Sequence, residues 1–226
     1  MNDSLRSRSS RQAATVTALL LAVAGSVVVV VAIRAQRAAP RPSAAAAGDV
    51  IEMTPTTTPS PVNTTPRGQV SSTTTAPGLP ASPPQHVTIP SIGAESDLTA
   101  LGLDADGSVE VPTSFQTAGW YRGSVAPGQV GPAVILGHVD STAGPGVFYR
   151  LGALRPGDRV VVNRADGRAV TFRITGVREY PKNHFPTIEV YGDTPLPTIR
   201  LITCGGAFDH ATHHYVSNIV AFGQLA

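Results

Sequence analysis

The sequence predicts an all-β domain of mainly antiparallel strands, set behind an apolar N-terminal segment and a polar linker. Three observations predict it. Short apolar runs alternate with glycine- and proline-bearing turns through residues 86–226. No long segment of that stretch repeats its apolar residues at the 3.6 period of a helix. Residues 34–85 hold few large apolar side chains.

The N-terminus comes first. From Ala13 to Ile33 the chain reads AATVTALLLAVAGSVVVVVAI with no charged residue. At about 1.5 Å per residue a helix of this length spans the ~30 Å hydrocarbon core of a bilayer. The competing reading is a cleavable signal peptide, whose apolar part is shorter, about 7–15 residues, and ends in a small-residue cleavage site. Ala35-Gln36-Arg37-Ala38-Ala39 fits such a site poorly. We expect an uncleaved single-pass anchor over residues 13–33. Arg6, Arg8 and Arg11 place residues 1–12 on the cytoplasmic side and the rest of the chain outside. Arg34, Arg37 and Arg41 follow the segment on its other side.

Residues 34–85 are rich in Pro, Thr, Ala and Ser. Too little apolar surface is available there to offset the entropy of ordering, so a disordered tether is expected. Residues 86–226 then form one domain. Its expected strands are Val87–Pro90, Ala133–Leu136, Arg159–Val162, Val170–Ile174, Ile199–Thr203 and Asn218–Phe222. Asp106-Gly107, Pro156-Gly157-Asp158 and Asp166-Gly167 supply turn chemistry between them. Many short strands at close spacing indicate a barrel or a sandwich.

The formal charge of +2 is unevenly spread. Seven arginines against three acids give residues 1–86 a charge of +4; ten basic and twelve acidic residues give residues 87–226 a charge of −2. The folded part carries no basic stripe, which argues against a nucleic-acid partner.

The single cysteine, Cys204, ends an apolar run in Thr203-Cys204-Gly205-Gly206. Secreted chains usually pair their cysteines, so an unpaired thiol outside the cytoplasm is a candidate nucleophile. The competing reading is a small buried core residue. A thiol needs a basic partner to react near neutral pH. Among six histidines, His138 stands out in Leu136-Gly137-His138-Val139-Asp140-Ser141, just after an apolar strand. A histidine held at a strand end suits proton transfer, although a surface histidine would look the same. His210, His213 and His214 form a His-x-x-His-His cluster, but no fourth ligand stands at zinc spacing. We expect neither a metal nor a cofactor.

Further motifs run in order through the domain. They include Ile89-Pro90-Ser91-Ile92-Gly93, Ala118-Gly119-Trp120-Tyr121, Gly137-His138-Val139-Asp140-Ser141, Gly146-Val147-Phe148-Tyr149, Pro156-Gly157-Asp158, Phe185-Pro186-Thr187 and Leu201-Ile202-Thr203-Cys204-Gly205-Gly206. On these motifs residues 86–226 resemble a sortase, in particular the class F sortases of actinobacteria. The resemblance implies an eight-stranded β barrel with short helices and a cysteine transpeptidase. It makes Cys204 the nucleophile toward an LPXTG-like sorting motif of secreted proteins, through a thioacyl intermediate. An amine on peptidoglycan or on another protein would resolve that intermediate. It makes His138 the acid and base, with thiolate and imidazolium as the active pair. It also fits a membrane-anchored chain.

One position departs from the pattern. Sortases carry an arginine on the strand after the cysteine, in Tyr-Arg-x-Asn; this chain reads Tyr215-Val216-Ser217-Asn218. Two residues compete for the vacant role. Asn218 offers an amide donor of oxyanion-hole type and is the favoured one. Arg200 lies about 13 Å before Cys204 along an extended strand. The departure keeps two other readings in play: an anchored binding module without catalysis, and a hydrolase that only cleaves. Trp120 and Tyr121 are either groove or core aromatics, with core favoured for Trp120.

Overall fold

The strands follow one another as β1 (Pro84–Ile89), β2 (Ala94–Leu101), β3 (Ala118–Tyr121), β4 (Gly131–Leu136), β5 (Asp140–Ser141), β6 (Gly144–Pro145), β7 (Arg159–Arg164), β8 (Ala169–Pro181), β9 (Pro197–Asp209) and β10 (His214–Leu225). The structure is a computed structural model and describes residues 38–48 and 78–226. The expected anchor, residues 13–33, lies outside the described residues. No helix among the described residues is long and apolar enough to cross a membrane.

Eight of the strands close into a barrel in the order β1-β2-β3-β4-β9-β10-β8-β7, and β5 pairs with β6 beside it. Closure leaves no unpaired edge. All six expected strands fall on barrel strands. The turns also fall as expected, since Gly107, Gly157 and Gly167 all take positive φ, which glycine adopts without steric cost. Two strands of the barrel were not expected. β2 turns small and polar residues inward, and its buried Ser96 accepts the Ala118 N–H at 2.8 Å. β3 is only four residues long. Two ladders of the barrel are parallel, β2 with β3 and β4 with β9.

Alternation builds the interior. Along β8, Val170, Phe172 and Ile174 are buried while Ala169 and Arg173 face solvent. They meet Ile89, Ile135, Phe148, Leu151, Leu201 and Ile219 in one cluster. Each such side chain contributes roughly 1.5–3 kcal/mol on burial. β9 is buried on both faces from Pro197 to Thr203. Its outer face, with Ile202, packs with Leu136, Val220 and Phe222 against Val190 of the short helix Thr187–Tyr191. A strand covered on both faces reads as a continuous apolar run.

The structure differs from the expected linker at two places. Residues 78–83 already lie on the barrel, where the Leu79 N–H donates to the Gly128 carbonyl at 2.7 Å. Residues 40–48 form a strap against it. Ala46 is 1% exposed and joins the interior cluster. The strap fits because glycines face it: a Cβ on Gly152 would collide with the Pro40 carbonyl, and one on Gly176 would stand 2.6 Å from the Ala47 carbonyl oxygen. Small residues docking on glycines give no apolar-run signal in sequence. Arg41 closes the strap with two bonds to Glu179, at 2.6 and 2.9 Å.

Arg164, at the end of β7, is 2% exposed. It donates to the Pro127 and Pro80 carbonyls at 2.6 Å each and pairs with Asp166 at 2.9 Å. Arg164→Ala orphans two carbonyls and opens a cavity, so it should cost about 3 kcal/mol in chemical denaturation. The Arg41 hydrogen bond holds the Glu179 carboxyl below its ordinary range. A carboxylate depressed in the fold stabilises above its unfolded pKa and loses that contribution as pH falls through the folded value. Arg41 is 63% exposed, which limits the contribution to under about 1 kcal/mol. Glu179→Gln should therefore flatten slightly the loss of stability on acidification from pH 5 to pH 3, read by melting temperature.

Candidate active site

The parallel ladder of β4 and β9 sets the site. Its last pair is Leu136 opposite Ile202, and the Gly137 N–H donates to the Ile202 carbonyl at 3.1 Å. Both strands run toward the same end of the barrel. His138 and Cys204 each come two residues after that pair. Neighbouring strands lie about 4.8 Å apart, so the two side chains emerge side by side. On the other flank of β9, Asn218 of β10 is the register partner of Cys204. Side chains at directly opposed positions have Cβ atoms about 4.5–5.5 Å apart.

Cys204 is a free, half-buried thiol. The Nζ of Lys182 stands 3.6 Å from its Sγ. Lys182 opens the 3-10 turn Lys182–His184 that follows β8. β8 neighbours β10, so β4, β9, β10 and β8 deliver His138, Cys204, Asn218 and Lys182 from four adjacent strands.

His138 is held from two sides. Its Nε2 lies 2.6 Å from the Pro112 carbonyl oxygen, and its ring centroid lies 4.5 Å from that of Phe115. A carbonyl oxygen only accepts, so Nε2 carries the hydrogen. In the neutral ring Nδ1 is then the basic nitrogen. The 102–117 loop between β2 and β3 thus fixes both the orientation and the tautomer of the imidazole.

Two clefts meet at these residues and share Val111, His138, Lys182 and Cys204 in their walls. One encloses about 330 Å³ and adds Val109, Pro112, Leu136, Tyr191, Ile202 and Asn218. The other encloses about 740 Å³ and adds Phe115, Asp140, Phe208, His213, His214 and Tyr215. In the larger one the Tyr215 hydroxyl donates to the Asp140 carboxylate at 2.5 Å. Burial first, then that carboxylate, pushes the Tyr215 phenol well above its ordinary pKa. Tyr215 therefore stays a neutral donor and pins Asp140.

Gly205 and Gly206 serve the barrel. A Cβ on Gly205 would stand 2.6 Å from Cδ1 of Ile219; one on Gly206, at φ +79°, would stand 2.7 Å from Oγ of Ser217. The β9–β10 register shifts at this point, between Tyr215 and Ser217. The glycines admit the neighbouring strand rather than a substrate.

Of the two residues weighed for the vacant role, Asn218 is in the site and Arg200 is not. Arg200 is 6% exposed, its guanidinium lies 4.7 Å from the Phe222 ring centroid, and it donates to the Ile199 carbonyl at 3.1 Å. Burial pushes it down to about 10. Val216 is 47% exposed. Trp120 donates to the Val125 carbonyl at 3.1 Å and packs on the interior cluster. Tyr121 packs edge-on to Tyr191 in the outer cluster. His213, at φ 56°, lies in the turn between β9 and β10, His214 opens β10, and both line the larger cleft. Among the described residues no group of three His, Cys, Asp or Glu is placed to hold a metal.

Sequence reasoning missed Lys182, Pro112 and Phe115. The one signal for Lys182 was that it is the chain's single lysine.

The sortase domain model matches residues 87–226, which is more than half of the chain. The chain belongs to the sortase family. It is accordingly a cysteine transpeptidase with a closed eight-stranded barrel. Solved sortases resemble it at low identity. Sortase A from Corynebacterium diphtheriae, as a lid mutant, is 18% identical with a TM-score of 0.47, over 62% of this chain and 68% of that one. Streptococcus agalactiae sortase C1, in complex with MTSET, is 19% identical with a TM-score of 0.49, over 62% and 67%. Sortase C2 of Group B Streptococcus Pilus Island 1 is 20% identical with a TM-score of 0.48, over 62% and 72%. No curated protein matches the chain.

Among the described residues, buried Arg200 of this sortase has no carboxylate bonded to it, and its Nε has no hydrogen-bond partner. Replacing such a group with an apolar one of similar length is often neutral or stabilising. Arg200→Met should leave the melting temperature unchanged or raise it, and should leave peptide cleavage within about twofold of wild type.

Proposed function

We propose that this sortase is a membrane-anchored class F enzyme that attaches secreted proteins to the cell wall. Residues 13–33 would anchor it and residues 86–226 would work outside the cell. Its substrates would carry an LPXTG-like motif, and its acceptor would be an amine on peptidoglycan or on another protein. No nucleic acid, metal or cofactor enters the reaction. The observation that carries the reading is the convergence of Cys204, His138 and Asn218 on one cleft wall.

In this reading the Cys204 thiolate attacks the carbonyl carbon that follows the motif's threonine. The new C–S bond turns the carbonyl oxygen into an oxyanion, and the Asn218 amide donates to it. The tetrahedral species collapses, the C–N bond breaks, and His138 gives its Nδ1 proton to the leaving amine. A thioester remains on Cys204. The acceptor amine then attacks that thioester, His138 takes its proton, and the thiolate leaves. The apolar walls from Val109, Val111, Leu136 and Ile202 suit the leucine and proline of the motif.

The full chain in detergent, incubated with a fluorogenic LPXTG-type peptide, should form a thioester adduct on Cys204 that mass spectrometry detects. Cys204→Ala should form none. Added amine should convert the adduct to an amide product. Asn218→Ala should lower kcat by about 10²-fold or more. Absence of an adduct across a panel of related motifs sinks the transpeptidase reading; release of acid alone in the presence of amine leaves a hydrolase.

A further inference from the structure

We propose that Lys182 is the catalytic cation of this site, standing in from the turn after β8 for the arginine that β10 lacks. The inference rests on the reading of Cys204 as the nucleophile.

Register makes the substitution possible. β10 pairs with β8, and the last pair at this end is Ser217 opposite Pro181. One residue beyond that pair stand Val216, on β10, and Lys182, the first residue of the turn that follows β8. A positive charge absent from β10 is thus present just past the end of the neighbouring strand. Pro181, at φ −59°, and the 3-10 turn direct the chain over the end of the barrel. The same strand end is fastened where the Tyr180 hydroxyl donates to Glu189 at 2.8 Å.

The ammonium is aimed at the reacting atom, with Nζ 3.6 Å from Sγ of Cys204. Among the described residues, Lys182 is the one Lys or Arg in the walls of either cleft. Arg200 is committed to Phe222 on the outer face. Lys182 is exposed in the free chain, where water screens its charge. A peptide lying in the clefts covers it, and the interaction strengthens as water leaves.

Lys182 acts without a bond forming or breaking at its nitrogen, and it keeps all three protons. It first stabilises the Cys204 thiolate. After attack the negative charge moves from sulfur to the carbonyl oxygen about 3 Å away, and the flexible four-carbon stem lets the ammonium follow it. Asn218 donates to the oxyanion from the other strand, so amide and ammonium share one developing charge.

The test compares the full-length wild type with Lys182→Met, Lys182→Gln and Lys182→Arg. Alkylation of Cys204 by iodoacetamide, a neutral reagent, reports thiolate reactivity without any substrate peptide. Lys182→Met and Lys182→Gln should slow alkylation at pH 7 about tenfold. They should lower kcat for motif cleavage about tenfold or more while KM stays within about threefold. Lys182→Arg should keep most of both activities, and every melting temperature should match wild type. The proposal is overturned if the uncharged variants alkylate and cleave like wild type, or if Lys182→Arg is as impaired as Lys182→Met. A wild type that cleaves no peptide defeats the sortase reading of the site, and the alkylation rates still decide the role of Lys182.

Discussion

The site depends on one constraint, the parallel pairing of β4 with β9. Two strands that run the same way end on the same side, so residues at equivalent distances past the last pair must meet. Leu136 opposite Ile202 fixes that register, and His138 and Cys204 follow from it. A parallel pair cannot be joined by a hairpin and needs a long crossover. Here the crossover runs from Gly137 to Leu196 and carries β5, β6, β7 and β8. The chemistry is therefore assembled from residues 66 positions apart, on strands buried along both faces. Burial gives the pair its rigidity, because a one-residue slip would turn Ile199 and Leu201 out of the core.

Parts of this were legible in the sequence for identifiable reasons. Runs such as Val170–Ile174 alternate cleanly because one face meets the core and the other meets water. Cys204 was visible because it is the chain's one thiol, and His138 because it follows an apolar strand and a glycine. β2 was not legible. Its inward positions include Ser96, whose hydroxyl replaces apolar contact with a hydrogen bond to β3. The parallel ladders were hidden because residue patterns do not encode strand direction. Arg200 was ambiguous from the sequence: its face of the strand was predictable, but the Phe222 ring it lies over comes from another strand. Lys182 was hidden because it reaches Cys204 across two ladders rather than along one.

The surroundings of His138 show how a loop outside the barrel enters the chemistry. Pro112 offers a carbonyl that only accepts, and Phe115 offers a ring face. Together they fix which imidazole nitrogen is basic and where it points. Phe115 in turn accepts the Val147 N–H at 2.8 Å, and Gln116 donates to the Pro145 carbonyl at 2.7 Å. The loop that tunes the base is thus tied to the β5–β6 hairpin that carries Asp140. A change in either segment reaches Nδ1 of His138, the proposed proton-transfer atom, without touching it.

The strap formed by residues 40–48 has a consequence for reach. A tether of 52 residues, 34–85, would extend to about 180 Å at full stretch. With Pro40 and Arg41 already seated on the barrel, six residues, 34–39, separate the proposed anchor from the docked chain. Their full stretch is about 20 Å. Gly48 and Gly78 both lie against the barrel, so the stretch of chain between them adds nothing to the leash. With residues 13–33 as the proposed anchor, so short a leash would let the enzyme meet its substrates as they leave the membrane, before they diffuse into the wall.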